Sequence, residues 1–363
     1  MDISKIDANF KDSTIPEGAD IVWHEISNPA FSLHGVRYDK DLDLYLRMPK
    51  EIAEQTSEGV AFLNKHTSGG RIRFITNSPY IAVKVEAWPI CPMRHMTLCG
   101  SHGVALFEDG SFIRSFAPLI LIVTRACDAE AYSYAFEDHC GLKENGEKLI
   151  ELYLPLYGSV RNIEIGLQSG ANILPAPAYK ITKPVVFYGN SVTQGGCACE
   201  AGASYPAFLS RWLDFDFVDL GFSGNGKAEP IMCDYLASLD ASAFVLDYDH
   251  NAPSPEYLQK THYPLYETIR KKHPDTPILF LTKADWYNSV EDSAKRREII
   301  YSTYQKAKAS GDDKVWFIDG RELLGSDNPT LGTVDSTHPN DLGFLRMAKV
   351  IKPVLEEMLE NSK

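Results

Sequence analysis

The sequence lacks the features of membrane-spanning proteins and of small, disulfide-stabilised secreted proteins. No apolar run approaches the roughly 20 residues that a membrane-spanning helix needs. Residues 1–5 have neither the basic start nor the apolar stretch of a secretory signal. The chain has seven cysteines, which is an odd number, and their spacing suggests no disulfide framework for a chain of 363 residues. These absences predict a cytoplasmic protein with free thiols and no membrane partner.

Excess positive charge is also absent. The 36 Lys and Arg residues are outnumbered by 49 Asp and Glu residues, which gives a formal net charge of -13. Nucleic-acid binding needs clustered basic side chains that neutralise phosphates. The short basic runs at residues 270–272 and 295–297 fall within helical patterns and are interpreted as solvated helix faces. We therefore predict no nucleic-acid partner.

The periodicity of the sequence changes near residues 173–178, a Pro- and Ala-rich stretch that we interpret as a linker. Before it, short alternating or β-branched runs such as residues 71–75 and 81–85 are separated by turn residues. This pattern predicts an antiparallel β-sandwich domain over residues 1–178, with a short helix at about residues 49–54. The length of the chain also favours two domains.

After the linker, apolar strands alternate with helical patterns. Strands are predicted at residues 185–188, 217–220, 243–246, 278–281 and 315–318. Helices are predicted at residues 205–213, 255–272, 292–309 and 341–359. Buried strands that alternate with helices indicate a parallel sheet covered on both faces. We therefore predict a doubly wound, five-stranded α/β domain over residues 179–363, with its functional residues at the carboxyl ends of the strands.

Polar motifs follow these strands. Ser191 lies in Gly-Asn-Ser-Val-Thr after the first strand, without the glycine spacing of phosphate-binding loops or of the Gly-x-Ser-x-Gly elbow. Taken alone, a serine directly after a strand is more often a turn residue than a catalytic nucleophile. However, further polar motifs follow the second strand at residues 221–227, the third at 247–251 and the fifth at 335–339. Their placement allows all four to converge on one crevice.

In this order, the motifs resemble the sequence blocks of the SGNH/GDSL hydrolases over residues 185–348. The first block has Asn190 where the family usually has Asp, and the glycine of the second block corresponds to Gly224. The third block, usually Gly-x-Asn-Asp, survives only as Asn251, whereas the final Asp-x-x-His-Pro block is intact at residues 335–339. The resemblance implies a flavodoxin-like order of the five strands.

A second resemblance lies in the N-terminal half. The sequence Asp-Leu-Asp-Leu-Tyr at residues 41–45 is similar to the signature of the N-terminal domain in one two-domain branch of these hydrolases. That domain could complete the rim of the active site, bind a glycan or only stabilise the fold.

The resemblance implies a serine esterase in which Ser191 is the nucleophile. A serine hydroxyl is a poor nucleophile unless an adjacent base takes its proton. His338 can take that proton and return it to the leaving alkoxide, while Asp335 orients the ring by accepting its other N–H. For the oxyanion hole, the resemblance implies the backbone amides of Ser191 and Gly224 and the side chain of Asn251.

The two-domain layout is similar to that of carbohydrate esterases that remove O-acetyl groups. We therefore expect hydrolysis of short acyl esters of a small molecule or oligosaccharide, through an acyl-Ser191 intermediate and without a cofactor. One alternative is an acyl hydrolase that acts on lipids or thioesters. A second is a non-catalytic carbohydrate-binding protein, against which the intact Ser191, Asp335 and His338 argue. A homo-oligomer is compatible with the sequence.

Other residues that could carry chemistry have simpler interpretations. Asp247, Asp249 and His250 could hold a metal with Asp335, but acids at strand ends more often cap or pair locally, so no metal site is predicted. The pair Cys197-x-Cys199 has no partner Cys/His pair at zinc spacing.

Three residues of the N-terminal half are also interpreted structurally. His95 and His102 are predicted to be surface or hydrogen-bonded polar residues. Trp88 could be a sugar-stacking platform, but the sequence favours a tryptophan in the sandwich core.

Overall fold

The computed structural model of the protein describes Ile6, residues 18–142 and residues 146–360. Residues 1–5, on which the predicted cytoplasmic location rests, lie outside these ranges, so that location stays a prediction. No helix of the described chain is both long enough and apolar enough to cross a membrane.

The N-terminal half consists mainly of short strands. The strands are β1 (Ile21–Glu25), β2 (Ser32–His34), β3 (Arg37–Asp39), β4 (Leu44–Leu46), β5 (Arg71–Thr76), β6 (Tyr80–Ala87), β7 (Val104–Glu108), β8 (Ser111–Phe116), β9 (Tyr134–Gly141), β10 (Lys148–Tyr153), β11 (Asn162–Gln168) and β12 (Ile173–Pro175). The helices are α1 (Lys50–Thr56), α2 (Glu58–Leu63), α3 (Leu98–Ser101) and α4 (Ile120–Asp128).

Two antiparallel sheets form the predicted sandwich. One has the strand order β1-β11-β6-β9, and the other has the order β12-β5-β10-β7-β8, with β2 beside β5. Alternate residues of β6, Ile81, Val83 and Val85, point into the core between the sheets, where they join Phe74 of β5 and Leu152 of β10. This alternation is the period of two that a strand imposes on its side chains.

The predicted linker is partly wrong. Its first three residues form β12, in which Leu174 pairs with Ile75 of β5. Pro175 is tolerated there because an edge strand does not need every backbone N–H. The predicted domain boundary after residue 178 falls between β12 and the next strand. The helix expected near residues 49–54 is α1, and the sequence did not predict α2 after it.

The C-terminal half alternates strands and helices. The strands are β13 (Ile181–Gly189), β14 (Phe215–Gly221), β15 (Ala243–Asp247), β16 (Ile278–Leu281) and β17 (Val315–Ile318). The helices are α5 (Ser191–Gln194), α6 (Tyr205–Leu213), α7 (Pro230–Ser238), α8 (Pro255–Lys272), α9 (Val290–Ala309), α10 (Gly320–Leu323) and α11 (Asp341–Glu360). The five strands are parallel in the order β14-β13-β15-β16-β17, which confirms the predicted flavodoxin-like sheet.

Both faces of the parallel sheet are buried. Phe187 of β13 belongs to a core that includes Leu209 of α6 and Phe344 of α11. The next residue, Tyr188, points to the opposite face and belongs to a core with Met232 of α7 and Leu265 of α8. Because the chain order reverses beside β13, the loops after β13, β14 and β15 meet at the carboxyl edge of the sheet.

The N-terminal half also contributes to the second of these cores. Met48, Ala53 and Val60, from α1, α2 and the residues before them, pack there beside Tyr188. Next to them, the buried guanidinium of Arg47 donates hydrogen bonds to the carbonyl oxygen of Leu63 at 2.7 Å and to that of Gly221. The two halves are therefore joined by apolar packing and by a buried cation.

Candidate active site

Ser191 begins α5 directly after β13, in a turn that Asn190 stabilises. The Asn190 side-chain oxygen accepts a hydrogen bond from the amide of Val192 at 2.7 Å and caps the helix. Its amide nitrogen donates to the carbonyl oxygen of Asp247 at 2.7 Å, at the end of β15. An ionised aspartate could accept the first bond but could not donate the second. Asn190 therefore ties the end of β13 to the end of β15, which an aspartate at this position could not do.

Ser191, His338 and Asp335 form a continuous hydrogen-bonded chain. The hydroxyl Oγ of Ser191 lies 2.9 Å from Nε2 of His338. Nδ1 of His338 lies 2.8 Å from Oδ2 of Asp335. The three side chains predicted from two distant motifs are thus brought together, with the geometry in which a base can take the serine proton.

Asp335 is held as a carboxylate by its own turn. Its Oδ1 accepts hydrogen bonds from the backbone amides of Thr337 at 3.1 Å and His338 at 2.8 Å. Partial burial would raise the pKa of Asp335, but the amides and imidazole of this turn outweigh that effect and lower the pKa to about 2. The carboxylate therefore stays charged at neutral pH and fixes the orientation of the imidazole.

The second and third motifs meet beside the nucleophile. The amide of Phe222 donates to the carbonyl oxygen of Gly189 at 3.0 Å, which joins the loop after β14 to the end of β13. In the same loop, the Gly226 amide donates to Oδ1 of Asn251 at 3.2 Å. Within the described residues, the amides of Ser191 and Gly224 and the Nδ2 of Asn251 donate to no protein acceptor. Three donors are thus available for a ligand.

The N-terminal half holds the nucleophile's helix in place, which the sequence did not predict. The Nε2 of Gln194 lies 2.9 Å from Nδ1 of His66 and 3.2 Å from the carbonyl oxygen of Leu156. The Gln194 side-chain oxygen accepts from the amide of Ser223 at 3.0 Å. Burial, followed by the nearby Arg47 charge, lowers the pKa of His66 well below its usual value, so the neutral ring can accept from Gln194. No local pattern reveals contacts across more than 100 residues.

The three residues of the N-terminal half that were interpreted from the sequence are His102, Trp88 and His95, and the structure places each differently. His102 is buried, with its ring nitrogens 2.8 Å from Ser101 Oγ and from the Ile90 carbonyl oxygen, so the prediction of a satisfied histidine is confirmed. Trp88 lies outside the sandwich core, half-buried, with Nζ of Lys65 4.3 Å from its ring centroid, so the core prediction is wrong. His95 lies at the active site, where its ring centroid is 5.8 Å from that of His338.

The two acids at the end of β15, Asp247 and Asp249, accept hydrogen bonds from different partners. Oδ2 of Asp247 accepts from the hydroxyl of Thr193 at 3.2 Å, and burial raises the pKa of Asp247 well above its usual value. Oδ2 of Asp249 accepts from the amide of Lys283 at 3.1 Å. Across the described ranges, three other side chains lie close enough together to share a metal ion. They are His95, Cys197 and His338.

Comparison with known proteins agrees with this geometry. A sequence model of the GDSL-like lipase/acylhydrolase family matches residues 182–356, and one for the N-terminus of SGNH-hydrolase-type esterases matches residues 21–173. A solved structure from Bacteroides ovatus, described as a GDSL-like lipase, is 30% identical with a TM-score of 0.81, over 94% of this chain and 98% of that one. The chain belongs to the SGNH/GDSL hydrolase family. It is an esterase with the N-terminal domain of the family's two-domain branch.

More distant structures share the fold. A salicylyl-acyltransferase from a tetracycline biosynthetic pathway is 22% identical, with a TM-score of 0.74 over 93% of this chain and 97% of its own. An acetyl xylan esterase from the rumen bacterium Butyrivibrio proteoclasticus is 15% identical, with a TM-score of 0.59 over 95% of this chain and 100% of its own. A search of curated proteins found no match.

Proposed function

We propose that this esterase removes short acyl groups, chiefly O-acetyl groups, from carbohydrates through an acyl-Ser191 intermediate. The observation that carries the proposal is the chain of hydrogen bonds from Ser191 through His338 to Asp335, at 2.9 Å and 2.8 Å. These contacts supply a nucleophile, a base and an orienting carboxylate, the set that acyl transfer by serine requires.

In the acylation step, Oγ of Ser191 attacks the ester carbonyl carbon while Nε2 of His338 takes the hydroxyl proton. The negative charge moves to the carbonyl oxygen, which accepts hydrogen bonds from the amides of Ser191 and Gly224 and from Nδ2 of Asn251. The tetrahedral intermediate then collapses and the alcohol leaves, protonated by His338. The carboxylate of Asp335 stabilises the imidazolium while it carries the proton.

In the second step, water attacks the acyl-Ser191 carbonyl and gives its proton to His338. The same three donors stabilise the second oxyanion. Collapse releases the carboxylic acid, and His338 returns the proton to Oγ of Ser191. No redox or metal-bound step is needed for this cycle.

The preference for short acyl groups is supported by the confined surroundings of the nucleophile. Ser191 is only 4% exposed. So buried a hydroxyl leaves little free space beside it for a long acyl chain. The carbohydrate part of the proposal is motivated by the shared two-domain fold of the acetyl xylan esterase.

An acyl-length series tests this proposal. Chromogenic acetyl, butyryl and octanoyl esters are compared, and acetylated xylo-, manno- and pectic oligosaccharides are assayed for acetate release, with Ser191→Ala as the blank. We expect acetyl esters to react fastest, because each misfitted methylene costs about 1–3 kcal/mol, and at least one glycan to release acetate. Faster octanoyl turnover with no acetate release would instead support a lipid-type acyl hydrolase. No turnover of any ester would support a non-catalytic carbohydrate-binding protein.

A further inference from the structure

Three metal-binding side chains meet at the mouth of the active site. One ligand atom from each of His95, Cys197 and His338 lies within 4.8 Å of the other two. Cys197 is buried, whereas His95 and His338 are partly exposed, so the group can be reached from solvent. Two imidazoles and a thiol are the ligand types that Zn²⁺ binds in proteins.

The two halves of the chain supply this group together. His95 lies in the segment between β6 and α3, whereas Cys197 follows α5 and His338 precedes α11. Cys197 has a backbone φ of 77°, a left-handed conformation that usually requires glycine. An L residue is strained there, yet at this position it places a thiol near the catalytic imidazole.

Both ring nitrogens of His338 already serve the catalytic chain. Nε2 faces the hydroxyl of Ser191, and Nδ1 faces the carboxylate of Asp335. A metal ion that bound either nitrogen would replace one of these hydrogen bonds. In the first case Ser191 loses its base, and in the second the imidazole loses its orienting carboxylate.

We propose that His95, Cys197 and His338 form an inhibitory site for Zn²⁺ and similar thiophilic divalent cations. Tetrahedral zinc with these ligands holds them about 3.3–3.6 Å apart, so the side chains need to close by about 1.5 Å or less. On binding, the Cys197 thiol gives its proton to solvent and its sulfur binds the metal. No electrons are transferred, and removing the metal restores the esterase.

Zinc inhibition provides the first test. Hydrolysis of a chromogenic acetyl ester is titrated with ZnCl₂ in the native chain, His95→Ala, Cys197→Ser and the control Cys199→Ser, each relative to its own metal-free rate. Cys199 is the matched control because it is an exposed thiol two residues from Cys197. We expect half-inhibition to need at least tenfold more zinc in the first two variants, an unchanged value in Cys199→Ser, and full recovery in EDTA.

Cobalt binding provides a test that does not depend on turnover. Co²⁺ is added to Ser191→Ala, and the absorption spectrum is measured for a thiolate-to-cobalt charge-transfer band and for the visible bands of tetrahedral cobalt. We expect both, and we expect the charge-transfer band to disappear in the double variant Ser191→Ala/Cys197→Ser but to remain in Ser191→Ala/Cys199→Ser.

The outcomes separate this site from the esterase mechanism. Absence of both zinc inhibition and the cobalt spectrum would overturn the metal site and leave the proposed function standing. Inhibition that is equal in all four chains would also overturn it, since the metal would then bind elsewhere. If the chain hydrolyses no ester, the cobalt spectrum still decides whether the site exists.

Discussion

The backbone amide of Gly226 donates a hydrogen bond to Oδ1 of Asn251 at 3.2 Å. Because this bond fixes the side-chain oxygen of Asn251, its Nδ2 is the atom that remains to donate. The contact joins the loop after β14 to the turn after β15, beside the end of β13, which Ser191 follows. It is therefore the structural basis for treating Asn251 as an oxyanion donor, although its sequence block is the most altered of the four.

Asn251→Ala is expected to lower kcat by roughly 10²- to 10³-fold with a smaller change in KM, because the lost donor acts on the transition state. Asn251→Asp is nearly isosteric but replaces the donor by an acceptor, so its kcat should be at least as low. Steady-state kinetics on a chromogenic acetyl ester measure both. Near-normal turnover of Asn251→Ala would assign the oxyanion hole to other donors and leave the role of Ser191 intact.

Arg47→Met is expected to lower the free energy of unfolding by about 3–5 kcal/mol, since a buried charge pair loses one partner. Arg47 donates to the carbonyl oxygens of Leu63 and Gly221, and it lies 3.9 Å from Asp219. Arg321→Ala is the control, because the Arg321 side chain is 56% exposed and its ion pair should contribute less than about 1 kcal/mol. Urea unfolding of both variants checks this, and equal losses would contradict the structural role of Arg47.

The stability of the protein is expected to fall as the pH drops below 6.5, partly because of His262. Burial lowers the pKa of His262 from 6.5 to about 3. Between these values the unfolded chain binds a proton that the folded chain does not. The stability present above pH 6.5 is therefore lost at up to about 1.4 kcal/mol per pH unit until pH 3.

Two variants isolate this contribution. Urea unfolding at pH 7, 6 and 5 should give a flatter pH dependence for His262→Gln than for the native chain. His139→Gln, at a half-exposed histidine, should keep the native slope. Identical slopes in the native chain and His262→Gln would show that His262 titrates alike in both states.

The sequence predicted the catalytic half well because its signals are local. The apolar strand at residues 278–281 and the helix at residues 255–272 were predicted with the observed ends, since Pro and charged residues mark their limits. The short apolar runs also placed the carboxyl end of each parallel strand to within one residue. The Ser191 and His338 motifs follow strands or precede a helix, so their convergence could be inferred from topology alone.

The contacts between the halves could not be predicted in this way. His95 reaches the catalytic histidine, and His66 reaches Gln194, from segments more than 100 residues away. Neither histidine lies in a motif, and periodicity carries no information about which loops meet across an interface. Trp88 was misassigned for a related reason, because a tryptophan after a strand can pack into the core or against a lysine outside it with the same local sequence.

Labelling of the nucleophile tests the central claim most directly. The native chain is treated with an alkyl fluorophosphonate, which phosphonylates an activated serine, and the modified peptide is identified by mass spectrometry alongside acetyl-ester kinetics. We predict one adduct, on Ser191, with none in Ser191→Ala, and a loss of about 10⁴-fold or more in the kcat of that variant at unchanged folding. An adduct on another serine, or a Ser191→Ala rate within tenfold of the native chain, would contradict the assignment of Ser191 as the nucleophile.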